Sequence, residues 1–208
     1  MLMSSLSFSN PSPRFYFVLR LGLPVIGALL IITFFLPGGH RHEVELKRYA
    51  AVPLFSLTER SGKTITNHDL GGKIWVADFI FTNCPGPCPR MSSQMHQVQA
   101  ALDGNDGVRF VSFTVDPARD TPPVLAAYAQ HFEATPGKWY FLTGAEADLN
   151  RMSRGVFMLG NVDGSLQHST RFALIDGSGR IRGYYLTSEA EAIPTLIADA
   201  KRLLKEQI

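Results

Sequence analysis

Cys84 and Cys88 are the only thiols in the 208-residue chain, and they stand four positions apart in the segment FTNCPGPCPR over residues 81–90. With no other cysteine to pair with, a disulfide-stapled scaffold is excluded, which leaves redox or metal chemistry. Two sulfurs at this spacing can close a disulfide with each other or share a soft metal ion. Pro85, Gly86, Pro87 and Pro89 restrict the loop, so the sulfurs keep a fixed relation. A run of β-forming residues precedes the loop and a helical pattern follows it. That junction puts the thiols near a helix N-terminus, where the macrodipole and free N–H groups favour a thiolate. Ordinary core cysteines are the alternative reading, but they do not usually come as a pair inside a Pro/Gly loop.

Asp78 lies six residues before Cys84, inside the apolar run KIWVADFIF over residues 73–81. A buried acid is costly unless it is paired or neutral. Thioredoxins carry a buried proton-transferring aspartate at the same offset from their first cysteine, and VADFIFTNC resembles their strand and cysteine loop. If buried, Asp78 is a candidate for proton traffic to the thiols; an edge-facing aspartate is the alternative. Two features depart from thioredoxins. The spacing is CxxxC, which opens the loop by one residue, and QHST over residues 167–170 stands where they place a cis-proline.

Six histidines compete to join the thiols. His40 and His42 fall in a polar linker, His68 in a surface turn, and His131 at a helix end where an imidazole satisfies the dipole. His96 is eight residues past Cys88, about two helical turns away. His168 ends the Gly/Asp/Asn loop over residues 160–167, and in a thioredoxin-like topology that loop end faces the cysteine loop. Two thiolates and an imidazole suit Cu(I) in trigonal geometry, and Cu(II) if an oxygen joins. Zinc fits less well, because its structural sites are usually closed by four protein ligands.

The elements that must position these residues follow in order. Residues 53–57 and 63–66 flank a turn and read as a hairpin. Residues 73–81 and 108–115 are nearly continuous apolar runs, the pattern of central buried strands. Helices are expected over 91–102, over 121–132 with Thr121 as N-cap and Pro122 first, and over 145–158. A strand is expected over 139–142. Residues 171–176 and 180–186 form a second hairpin through Gly177-Ser178-Gly179, and 189–206 is an amphipathic helix. This order predicts an α/β domain, a mixed sheet flanked by helices.

The chain carries 20 basic and 18 acidic residues. Arg14 and Arg20 precede the most apolar stretch, so residues 40–208 are charge-balanced and give no support to nucleic-acid binding. That stretch, residues 15–36, has Arg20 as its only charge and an uninterrupted apolar part of 16 residues from Leu21. A single span needs roughly 20 apolar residues, with Arg20 snorkelling to the interface. A cleaved signal peptide lacks its small-residue cleavage site here; a buried helix is the other alternative. The expected layout is a tail over 1–14, a transmembrane anchor over 15–37, a linker over 38–50 and the folded domain over 51–208. Flanking charge does not settle orientation. The short tail and large following domain favour the domain outside, which in a bacterium means an inner-membrane protein facing the periplasm. The Ser-rich, acid-free start also resembles a mitochondrial presequence, which makes the mitochondrial inner membrane the second choice.

FTNCPGPCPRM over 81–91, TVDPARDTP over 114–122, FLTG over 141–144 and HST over 168–170 together resemble the Sco/SenC family of copper proteins, over roughly residues 50–207. The resemblance implies a thioredoxin-like fold behind one N-terminal anchor, with Cys84, Cys88 and His168 as copper ligands. It implies delivery of copper to the Cu(A) centre of cytochrome c oxidase subunit II, with another copper chaperone or a thioredoxin-like reductant as further partners. Asp116 and Asp120 match the family's acidic DxxxD element, read as a partner contact or a tuning device; for Asp120, capping of the helix at Thr121 is the alternative. A thiol–disulfide oxidoreductase that reduces the oxidase's copper-site cysteines is the competing function. A peroxiredoxin-type peroxidase is disfavoured, because no proline precedes Cys84 in the manner of those enzymes.

Overall fold

A computed structural model describes residues 45–155 and 170–206. The expected anchor over 15–37, His168 and the end of the helix expected over 145–158 lie outside these residues. Among the described residues no helix is long and apolar enough to cross a membrane.

Seven strands form one mixed sheet: β1 (Ser56–Glu59), β2 (Thr64–Thr66), β3 (Ile74–Ile80), β4 (Val108–Thr114), β5 (Trp139–Thr143), β6 (Arg171–Ile175) and β7 (Ile181–Leu186). Their order across the sheet is β2-β1-β5-β4-β3-β6-β7. The central strands β3, β4 and β5 are parallel, whereas β1, β6 and β7 run antiparallel to their neighbours. The helices are α1 (Pro87–Ala101), α2 (Pro122–His131), α3 (Glu146–Gly155) and α4 (Ala192–Glu206). A short 3₁₀ turn at Asn67–Leu70 carries the exposed His68.

Every residue of β3 is buried, which explains its unbroken apolar run: parallel strands are covered on both faces. Alternation along the strand still divides the core. Ile74, Val76 and Ile80 join a cluster with Met91, Met95 and Val98 of α1, Leu125 of α2 and Leu196 of α4. Trp75, Ala77 and Phe79 join the other, with Leu149 and Met152 of α3 and Phe113 of β4. Asp78 falls in register with the first set, so it faces the layer that contains α1 and the cysteines.

One boundary differs from expectation in a way that matters. α1 begins at Pro87, not Met91, so Cys88 lies within its first turn. The prolines read as loop residues are tolerated there because the first N–H groups of a helix have no intrahelical partner to lose. Thr121 is the N-cap of α2 as expected, but its side chain makes no capping bond. The alternative capping role for Asp120 is also replaced, because its carboxylate is engaged elsewhere.

Candidate metal centre

The C-terminal end of β3 runs into the cysteine loop. Cys84 is 8% exposed and Cys88 fully buried, and both are free thiols. The two side chains are within hydrogen-bonding reach of each other. Burial pushes the Cys88 thiol far above its ordinary range. A hydrogen bond from the Phe81 backbone opposes this, while contact with Cys84 and the charge of Asp78 reinforce it. Desolvation thus works against the thiolate that a helix terminus favours, in a first turn that has lost N–H groups to Pro87 and Pro89.

Beneath the thiols lies Asp78, 1% exposed. Neither of its oxygens has a hydrogen-bond partner of normal length. Burial pushes its carboxyl up to about 7, and the Ser112 hydroxyl, directly opposite on β4, is near enough only to offset part of that rise. Ser112 itself accepts the Trp139 indole N–H at 3.0 Å. Tyr128 completes this floor: its hydroxyl pairs with Ser92, one turn along from Cys88, at 2.9 Å. Burial raises the Tyr128 phenol, with smaller additions from the charges of Cys88, Asp78 and Cys84.

Asp120 is equally buried, at 1% exposure, but fully engaged. It accepts the Thr82 N–H at 3.2 and 3.3 Å and the hydroxyls of Thr82 and Thr114, each at 2.5 Å. Asp116 is closer to the surface and pairs with the exposed Arg119 at 2.8 Å. The two aspartates of the DxxxD element thus differ in role. Asp116 is near solvent, and Asp120 is an internal anchor of the cysteine loop.

His168 lies outside the described residues, but Thr170, two residues further on, does not. The Thr170 carbonyl accepts the backbone N–H of Thr187 at 2.8 Å and its hydroxyl at 2.9 Å. The Thr187 carbonyl in turn accepts Arg90 at 3.3 Å and Gln94 at 3.2 Å, both on α1. Because β6 runs antiparallel to β3, its first residue Arg171 sits at the end of the sheet where β3 enters the cysteine loop. Among the described residues no third histidine, cysteine or carboxylate joins the thiols in a metal-sized cluster. His96 and His131 instead line a separate surface pocket with Glu133.

Ser112, Ser92 and Tyr128 carry no sequence motif for a site, and their only signal is polarity within otherwise apolar elements. Thr82 and Thr114 lie inside the motifs at 81–91 and 114–122, but their shared engagement of Asp120 joins segments 38 residues apart and is not readable from either.

A mixed sheet with a dithiol at the start of the helix after its central strand, over a buried aspartate, defines a thioredoxin-like thiol domain. Within that class the chain belongs to the SCO1/SenC family, whose family model matches residues 44–205. It is 31% identical over 178 residues to the SCO1 protein homolog of Bacillus subtilis, covering 83% of this chain and 92% of that one. The solved structure of BsSco, a member of the Sco family of cytochrome c oxidase assembly proteins in which a disulfide switch was identified, is 30% identical with a TM-score of 0.68. The match covers 76% of this chain and 95% of that one. Bradyrhizobium japonicum ScoI, solved with copper bound, is 27% identical with a TM-score of 0.61, over 74% of this chain and 99% of its own.

Proposed function

We propose that this protein is a membrane-tethered copper carrier that delivers copper to the Cu(A) centre of cytochrome c oxidase subunit II. Cys84, Cys88 and His168 hold the cargo ion. The observation that carries the reading is the placement of two buried, mutually contacting thiols beside the strand end that leads to His168. The Thr170–Thr187–α1 hydrogen bonds support it by tying that strand end to the helix bearing Cys88. The copper-bound B. japonicum relative supports the choice of ion. Ligand protonation then becomes part of the mechanism. Cys88 is held as a thiol until a soft cation displaces its proton, so loading releases protons and strengthens as pH rises. Transfer is ligand exchange, in which the partner's cysteines replace Cys84 and Cys88 one at a time. Residues 15–37 are the anchor, with the domain in the periplasm.

Copper titration of the reduced full-length protein tests this. One copper should bind, with thiolate-to-Cu(II) charge transfer that shifts in His168→Ala and disappears in Cys88→Ser. No copper binding, or a spectrum indifferent to both changes, overturns it.

The unpartnered carboxyl of Asp78 favours a second use of the same thiols. One cysteine attacks a disulfide of the partner, and the other resolves the mixed disulfide. The partner leaves with two thiols, and two electrons have passed from the pair, which is now a Cys84–Cys88 disulfide. Asp78 takes up the proton of the resolving thiol and passes it to the partner sulfur that leaves, so that both thiol protons of the pair end on the partner. Exchange with an oxidised Cu(A)-domain peptide that is no faster than that of free glutathione would exclude this reading.

A further inference from the structure

Three donors converge on Asp120, and they come from Thr82 and Thr114 at the end of the sheet from which the cysteine loop leaves. Thr82 is two residues before Cys84. Thr114 ends β4 and is paired in register with Ile80, the last residue of β3. The direction of the network is set by its outer member. The Asp116 N–H donates to the Thr114 hydroxyl oxygen at 2.9 Å, so that hydroxyl gives its own proton to Asp120. A continuous hydrogen-bonded path therefore runs from the turn over residues 116–119, whose Ala118 and Arg119 are exposed, through Thr114 and Asp120 to the backbone of the cysteine loop. Backbone bonds from Arg119 and Asp120 to the Asp116 carbonyl, at 3.1 and 2.9 Å, make that turn rigid.

We propose that Asp120 is a positioning residue for the cysteine loop: through Thr82 it fixes Cys84 over Cys88 and couples that placement to the exposed turn over residues 116–119. A contact on the turn is thereby felt at Cys84, the more accessible of the two sulfurs, while Cys88 is held independently by α1. The inference rests on Cys84 and Cys88 being the working thiols, and it makes no use of copper.

The test uses the reduced, metal-free full-length protein in detergent, with alkylation rates of Cys84 and Cys88 measured separately by mass spectrometry. Asp120→Asn replaces one acceptor oxygen by an NH₂ group that cannot receive the threonine donors. Charge-assisted hydrogen bonds to a buried carboxylate are strong enough that Cys84 should react about tenfold faster, with the Cys88 rate unchanged. Thr82→Val keeps only the N–H and should give about threefold at Cys84, whereas Thr82→Ser keeps both donors and should match the wild type. Arg119→Ala, which breaks the Asp116 ion pair on the turn, should move the Cys84 rate and leave the Cys88 rate alone. The double variant Asp120→Asn/Thr82→Val should not exceed Asp120→Asn alone, because the two act through one contact.

A residue that merely stabilised the fold would accelerate both cysteines by the same factor, and Thr82→Ser would not separate from Thr82→Val. Either outcome overturns the proposal, as does an unchanged Cys84 rate. If Asp120→Asn does not fold, the ratio of Cys84 to Cys88 rates in Thr82→Val decides. Because no metal enters this assay, a failed copper titration would remove the cargo reading without touching this result.

Discussion

Asp78 and Asp120 are buried to the same degree, one near Cys88 and the other bonded to Thr82 of the cysteine loop, and they have opposite surroundings. The rim of the site gives Asp120 three donors, whereas the floor leaves both oxygens of Asp78 without a bond of normal length. A carboxylate that is saturated with hydrogen bonds serves as an anchor, because moving it leaves several buried groups unsatisfied. One that is buried and unpartnered has its proton affinity raised and remains free to exchange a proton. Burial depth alone therefore says nothing about which aspartate does chemistry; the donor count does.

The largest expected effect bears on the floor. The Asp78 carboxyl is raised to about 7 in the folded protein from an ordinary value of 3.8. Between those pH values the folded state holds a proton that the unfolded state has lost, so stability falls as pH rises from about 4 to 7. Asp78→Asn removes that penalty. It should be about 4 kcal/mol more stable than the wild type at pH 8 and no different near pH 4, by urea denaturation at each pH. A pH-independent difference would mean that Asp78 is already ionised in the fold. The rim should respond with the opposite sign: Asp120→Ala strands the Thr82 N–H and two hydroxyls, and should cost about 2 kcal/mol at pH 7. A cost near zero in the same measurement would erase the contrast. The smallest effect is expected at Ser112. Ser112→Ala takes the acceptor from the Trp139 indole, at a cost of about 1 kcal/mol. It should also move the Asp78-linked stability transition to higher pH, since the hydroxyl's lowering influence is lost.

Much of this arrangement was legible in order. The strands β3 and β4 lie within a residue of the apolar runs that announce them, because parallel strands covered on both faces need apolar side chains at every position. The β6–β7 hairpin follows from Gly177-Ser178-Gly179, where Gly179 takes φ of +78° and the Asp176 carboxylate accepts the Ser178 and Arg180 N–H groups. The start of α1 was hidden, since prolines mark both loops and first turns. Asp78 could be suspected from its neighbours, because an acid in an apolar run is conspicuous wherever it points. Asp120 could not be understood in the same way. Its position before a proline-initiated helix suggested capping, and the Thr82 donors that it serves are 38 residues away.

The sequence by itself determined which groups are available: two thiols at a fixed separation, an acid six residues upstream, and the alternation that sends that acid to one face of the sheet. These are local properties, set by spacing along a strand, a loop and a helix. Only the tertiary structure decided what each group does there. Hydrogen-bond saturation and desolvation depend on partners brought in by β4, α2 and the end of β7. That is why burial raises the Cys88 thiol where the helix terminus alone would lower it, and why two aspartates of equal burial differ, one saturated with donors and the other raised in proton affinity.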